Sequence, residues 1–162
     1  MVHYYKLFWL NAFNIHGRSR RKEFWYPVLV TIIITLIAEI TLINLVFLET
    51  YFMPFLSTPI YLVELVFQIF QIASLIAFFS LTVRRFHDLN MTLTYPVITY
   101  AITILYKITD NIIYVTDFDS PLGLFLALLG INCLILNLIV LFMACRDGHK
   151  GENKYGINPN HN

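Results

Sequence analysis

Residues Tyr26 to Leu48 form a run of 23 residues in which Glu39 is the only Asp, Glu, Lys or Arg. As a helix the run is about 34 Å long, enough to cross a hydrocarbon core of about 30 Å. Pro27 falls in its first turn, where a missing N–H costs little. Three further stretches repeat the pattern: about Ile60 to Val83, Met91 to Ile108 and Leu122 to Cys145. Lipid offers the backbone no hydrogen bonds, so runs that cross it are expected to be helical. The chain is 58% hydrophobic, more apolar surface than 162 residues can hide in a soluble core. The expectation is one all-α, polytopic membrane domain covering residues 1–162, a bundle of four transmembrane helices.

The segments between the runs give this bundle a direction. Glu49 to Pro59 is a short loop with Pro54 and Pro59, and Asp110 to Pro121 is a loop with Asp110, Asp117 and Asp119. Both lack cations. Ten of the eleven Lys and Arg residues fall on the other side, leaving only Lys107 near the end of the third run. The positive-inside rule then places residues 1–25, the stretch after Val83 and the tail 146–162 in the cytoplasm. The first run begins late, exceeds 20 residues and lacks a small-residue cleavage site, so it is expected to remain as an anchor. Gly148, Gly151, Gly156 and Pro159 mark the tail as turns rather than helix. His3 to Phe13 is rich in aromatics. It reads either as a helix lying in the interface, with Tyr4, Tyr5, Phe8 and Trp9 at headgroup depth, or as a packed N-terminal arm.

Three of the cytoplasmic segments carry recognisable motifs. They are Gly17-Arg18-Ser19-Arg20-Arg21-Lys22-Glu23-Phe24-Trp25, Arg84-Arg85-Phe86-His87-Asp88, and Gly151-Glu152-Asn153-Lys154-Tyr155-Gly156-Ile157-Asn158-Pro159. In this order, over nearly the whole chain, they resemble the G-R-x-x-R-x-E-[FY]-W, R-R-[LF]-H-D and G-x-N-[KR]-Y-G-x-x-P motifs of a bacterial inner-membrane family catalogued as domain of unknown function 805. The resemblance implies a four-helix protein of the bacterial inner membrane and no activity. One departure stands out: the family usually follows H-D with a glycine-containing S-G-W-W stretch, whereas this chain reads Leu89-Asn90-Met91-Thr92-Leu93-Thr94-Tyr95.

The candidate site is the set these motifs bring to one side: Arg18, Arg21, Glu23, Arg84, Arg85, His87, Asp88, Asn153, Lys154 and Tyr155. If the second run stays helical through the motif, Arg84 and Asp88 stand at i,i+4 and can pair, leaving Arg85 to face elsewhere. Glu23 is a further partner for either arginine. The cluster can act as a structural lock between spans, or its remaining cations can bind anionic headgroups or another anion, each contributing about 1 kcal/mol near a membrane surface. The tail can fold back over this stretch, with Lys154 near Asp88 and Tyr155 at the interface. His3, His16, His149 and His161 are too scattered to complete a metal site around His87 and Asp88. Cys133 and Cys145, twelve residues apart on one helix, are too distant for a disulfide.

Within the runs, Thr31, Thr35 and Glu39 share one helical face, as do Glu64, Gln68 and Gln71. A carboxylate in the bilayer costs about 2.5–3.5 kcal/mol on insertion scales, so Glu39, Glu64 and Lys107 are expected to face the bundle interior. They read as hydrogen-bonding glue between helices or as the titrating site of a transporter. Gly123, Ala127 and Gly130 form a small-residue face suited to close helix packing. With no nucleophile–base pair, metal spacing or phosphate loop, an enzyme is not expected, and no cofactor or nucleic-acid partner is implied. The expected function is non-enzymatic organisation of lipid or protein partners, with a second copy of the chain or another membrane protein as candidate partner; the alternative is a small transporter or channel subunit.

Overall fold

The computed structural model describes residues 1–52, 57–113 and 120–157. Among these, all elements are helices: α1 (Val2–Leu10), α2 (Arg21–Tyr51), α3 (Ser57–Asp88), α4 (Thr94–Ile113) and α5 (Pro121–Cys145). Three helices are long and apolar enough to cross a membrane: α2, α3 from Pro59 onward, and α5. α4, which carries Lys107, is not among them. The helices outrun the sequence boundaries. α4 continues through Asp110 to Ile113, so that part of the expected loop is helical, while Asp117 and Asp119 lie outside the described residues, as do Pro54 and Pro159.

The chain divides into two compact units, Met1–Asn14 with Lys22–Ser80, and Ile15–Arg21 with Leu81–Asn162. In the first unit the N-terminal segment is an arm packed on α3. Phe8 is buried against Phe78, with ring centroids 4.7 Å apart, and Trp9 lies 6.0 Å from Phe70. Tyr4 stacks on Tyr26 of α2, and the Ser80 hydroxyl donates to the Ala12 carbonyl. Phe8 and Trp9 therefore pack on α3 as part of the arm, and the area these rings bury against other rings contributes to holding it there.

In the second unit α4 and α5 pack as an antiparallel pair. Tyr106 lies against Gly130, while Thr103, three residues earlier, meets Cys133 and Asn137, further along α5. Gly130 has the role its small-residue face suggested: a Cβ there would meet the Tyr106 ring at 3.0 Å. Ser120 caps α5 by accepting from the Gly123 N–H, with Pro121 opening the helix. α3 contributes its last eight residues to this unit, and every one from Leu81 to Asp88 is buried. At 32 residues α3 is about 48 Å long, well beyond a 30 Å hydrocarbon core, so its C-terminal turns have length to spare for a protein environment.

Replacing Gly130 with Leu should force α4 and α5 apart and lower unfolding stability in detergent by about 1–3 kcal/mol. Adding Tyr106→Ala in the same chain should restore part of the loss, read as a rise in the thermal unfolding midpoint.

Candidate functional site: a clasp on the end of α3

Any helix ends with four carbonyls that lack intrahelical partners. α3 ends inside protein, so its carbonyls need other donors, and the surrounding segments supply them. Asn90 adopts φ +61, and its N–H reaches the His87 carbonyl while the Met91 N–H reaches that of Phe86. This is a Schellman-type ending, with Asn90 in the left-handed position usually held by glycine. The Leu89 N–H covers Arg85, the Asn153 side-chain amide donates to His87 at 2.9 Å, and the His149 N–H donates to Asp88 at 2.8 Å. One turn earlier, the Ser19 N–H donates to the Arg84 carbonyl. The arm before α2 and the tail after α5 are therefore both stitched to the end of α3.

Side chains close the same joint. Asp88 is 2% exposed and its carboxylate sits between two guanidinium groups. Arg18 approaches Oδ1 through Nε at 3.0 Å and Nη2 at 2.9 Å, and Arg85 donates to Oδ2 at 2.5 Å. The remaining donors of both arginines point at backbone carbonyls. Arg18 reaches His149, Gly151 and Gly156 of the tail. Arg85 reaches Ser19 of the arm, Ala144 at the end of α5, and Arg146. The forked geometry of arginine makes this possible; lysine has no rigid fork with which to do it. Burial lowers the Arg85 pKa from its usual value, with Asp88 opposing that effect and Arg21 adding to it.

Each motif residue has a local reason. Gly17 needs its glycine for φ +84, and its carbonyl faces His87 Nδ1 at 3.3 Å. Arg21 pairs with Asp147 and reaches the Cys145 carbonyl. In the tail, Asn153 and Gly156 bond each other's backbones, the Asn153 side-chain oxygen accepts from the Tyr155 N–H, and Gly156 takes φ +123. That tight turn lays Tyr155 flat on the His87 ring, 3.7 Å between centroids, with Lys154 over the other ring at 4.9 Å. The His87 pKa is lowered by burial; the Gly17 carbonyl opposes the shift, and His16 and Lys154 add to it.

The pairing within α3 differs from the helical-spacing expectation. Asp88 pairs with Arg85 at i,i+3 and with Arg18 of the incoming arm, so Arg85 does not face elsewhere. Arg84 is nonetheless buried, at 8% exposure. Lys154 lies over Tyr155 rather than beside Asp88, and Tyr155 is a stacking partner of His87. Glu23, in the first turn of α2, is half-buried. Gly148 was not picked out for this role by sequence reasoning, yet a Cβ there would fall 2.0 Å from Asp88 Oδ2. Its signal is faint: one glycine among several in a tail of turns.

Of the polar residues on the long apolar helices and α4, Glu39, Glu64, Gln68 and Lys107 are exposed and Gln71 is half-buried, where burial in a bundle interior was expected. Glu64 accepts from Gln68 one turn along its own helix, at 3.5 Å. Helix-internal bonds of this kind need no second helix. Among the described residues no group of three or more His, Cys, Asp or Glu could hold a metal ion.

Gly148→Ala should open the clasp and cost at least about 2 kcal/mol, in the range of other severe core clashes. Asn90→Gly should be tolerated, whereas Asn90→Val should cost about 1–2 kcal/mol, because a branched residue resists positive φ. Chemical unfolding of the three variants in one detergent checks both statements.

No curated protein and no solved structure gives a match to this chain. A family model described as "Protein of unknown function (DUF805)" matches residues 12–157, a range that runs from the arm through α3 to the tail turn. Within the stretch that departs from the family pattern, Asn90 takes the left-handed conformation that glycine most readily adopts. The chain belongs to the DUF805 family.

Proposed function

We propose that this is a non-enzymatic, four-span protein of the bacterial inner membrane whose cytoplasmic clasp presents a cationic surface to anionic lipid headgroups. Topology supports the span count. The C-terminal ends of α3 and α5 meet in the clasp, through Arg85 and the Ala144 carbonyl. If α3 and α5 each cross the bilayer toward that face, the segment between them must cross back. α4 runs antiparallel to α5, and its 20 residues make a helix of about 30 Å. Its lower apolarity is compatible with a span that packs on a neighbour along one side. The distribution of Lys and Arg supports a cytoplasmic location for the clasp and both termini.

The observation that carries the lipid reading is a division of labour among the charges. Arg18 and Arg85 are buried and committed to Asp88 and backbone carbonyls, so they hold the joint rather than a ligand. Arg21, Arg146, Lys150 and Lys154 are exposed around the same joint, against the exposed acids Asp147 and Glu152. Cations held at the membrane surface attract anionic lipid within a Debye length. The transporter reading required Glu39 and Glu64 to share an interior; their exposure favours the clasp instead.

Native mass spectrometry of the chain released from vesicles of mixed phosphatidylglycerol and phosphatidylcholine tests the proposal. Phosphatidylglycerol should be retained preferentially. Changing Arg146, Lys150 and Lys154 to Gln should lower that preference about tenfold or more, at roughly 1 kcal/mol per cation. Equal retention of both lipids by the unsubstituted chain would contradict the lipid role.

A further inference from the structure

We propose that the tail is a proton-sensitive strap: protonation of His87 Nε2 releases residues 148–156 from the end of α3. The inference is independent of the lipid reading and starts from the tautomer. His87 Nδ1 faces the Gly17 carbonyl, which can only accept, so Nδ1 carries the hydrogen and Nε2 keeps its lone pair. Nε2 is buried and has no hydrogen-bond partner among the described residues. A neutral ring tolerates this. A proton on Nε2 would place a cation and a donor in a dry setting with no acceptor.

The groups facing the ring add to the effect. From the arm come His16 and the Gly17 carbonyl; from the tail come Lys154, Tyr155 and the nearby His149; on α3 itself stand Arg84 and Asp88, with the Asp88 carboxylate directed at Arg18 and Arg85. The Asp88 carboxylate is therefore already engaged, and the charged side chain of the tail that acts on the ring, Lys154, is a cation. The Tyr155 face attracts a cation, but that gain is smaller than the cost of burying an unmatched charge. Moving Tyr155 away exposes Nε2 to water and relieves the strain. Tyr155 belongs to the same tight turn as Asn153 and Gly156, so the turn would lift as one piece, breaking its bonds to His87 and Arg18.

The sign follows from linkage. A released His87 titrates near the ordinary value of about 6.5, and the docked one lower. Docking keeps its full strength above about pH 6.5 and weakens as pH falls from there through the docked value. A window of pH 7.5 to 5.0 spans this change while staying above the ordinary carboxylate range.

The test is electron paramagnetic resonance of the full chain in nanodiscs, spin-labelled at Ile157→Cys in a Cys145→Ser background, with Cys133 left buried. The mobile fraction of the label should rise several-fold and reversibly from pH 7.5 to pH 5.0. In His87→Phe, which keeps a ring for Tyr155 but cannot titrate, and in His87→Gln, the spectrum should not change with pH. A chain carrying His16→Asn and His149→Asn should keep the wild-type response. No rise in the wild type, or an equal rise in a variant of His87 that is docked at pH 7.5, would overturn the proposal. If both His87 variants are already mobile at pH 7.5, the His16/His149 double variant decides: a retained response supports the strap and a lost one overturns it.

Discussion

The carboxylate of Asp88, gripped by Arg18 on one oxygen and Arg85 on the other, is the contact on which the second unit of this protein depends. Burying three charges would ordinarily be a poor investment of stability, since desolvation can exceed the Coulombic gain. Two features offset that cost here. Each arginine fills its remaining donors with carbonyls, and those carbonyls belong to the arm, the end of α5 and the tail, so each guanidinium joins several segments at once. The same contacts also complete the end of α3, whose last carbonyls would otherwise be buried without donors. Charge and backbone needs are met by one set of bonds. This explains the glycines around the joint: Gly148 leaves room beside the Asp88 carboxylate, while Gly17 and Gly156 take positive φ in the turns that bring their segments to it.

The arrangement ties together parts of the chain made at very different times. Arg18 precedes the first long apolar helix, Asp88 ends the second, and His149 to Gly156 follow the last. The clasp can close only after the tail has been synthesised, so it reports that the intervening helices are in place. Removing one member leaves the other charges buried without a match, which is the circumstance in which buried ion pairs become costly. The joint is therefore suited to a two-state behaviour, closed and intact or open and hydrated.

Much of this was legible in the sequence because the relevant signals are local. Apolar runs of about 20 residues give helices, and the three motifs announce themselves as dense polar stretches in an apolar chain. Their grouping follows from the Lys and Arg distribution. The details that were not legible are tertiary. Helical spacing favours Arg84 as the partner of Asp88, but the arm approaches from the side that Arg85 faces. Asn90 reads as one more polar loop residue until its φ is known. The N-terminal aromatics suit an interface or a packed arm equally well in sequence, and the contacts of Phe8 and Trp9 with Phe78 and Phe70 are visible only in the fold. Glu39 and Glu64 read as an interior pair because of a general rule about membranes, and a general rule does not position two particular helices.

The most direct test of the central claim is the unfolding free energy of Asp88→Asn measured against the unsubstituted chain in one mild detergent. Asparagine keeps the shape and removes the charge that both arginines share. A loss of about 3–5 kcal/mol is expected, the range for breaking a buried ion pair from one side. A change within about 0.5 kcal/mol, the scatter of an ordinary surface substitution, would show that Asp88 does not hold the clasp together.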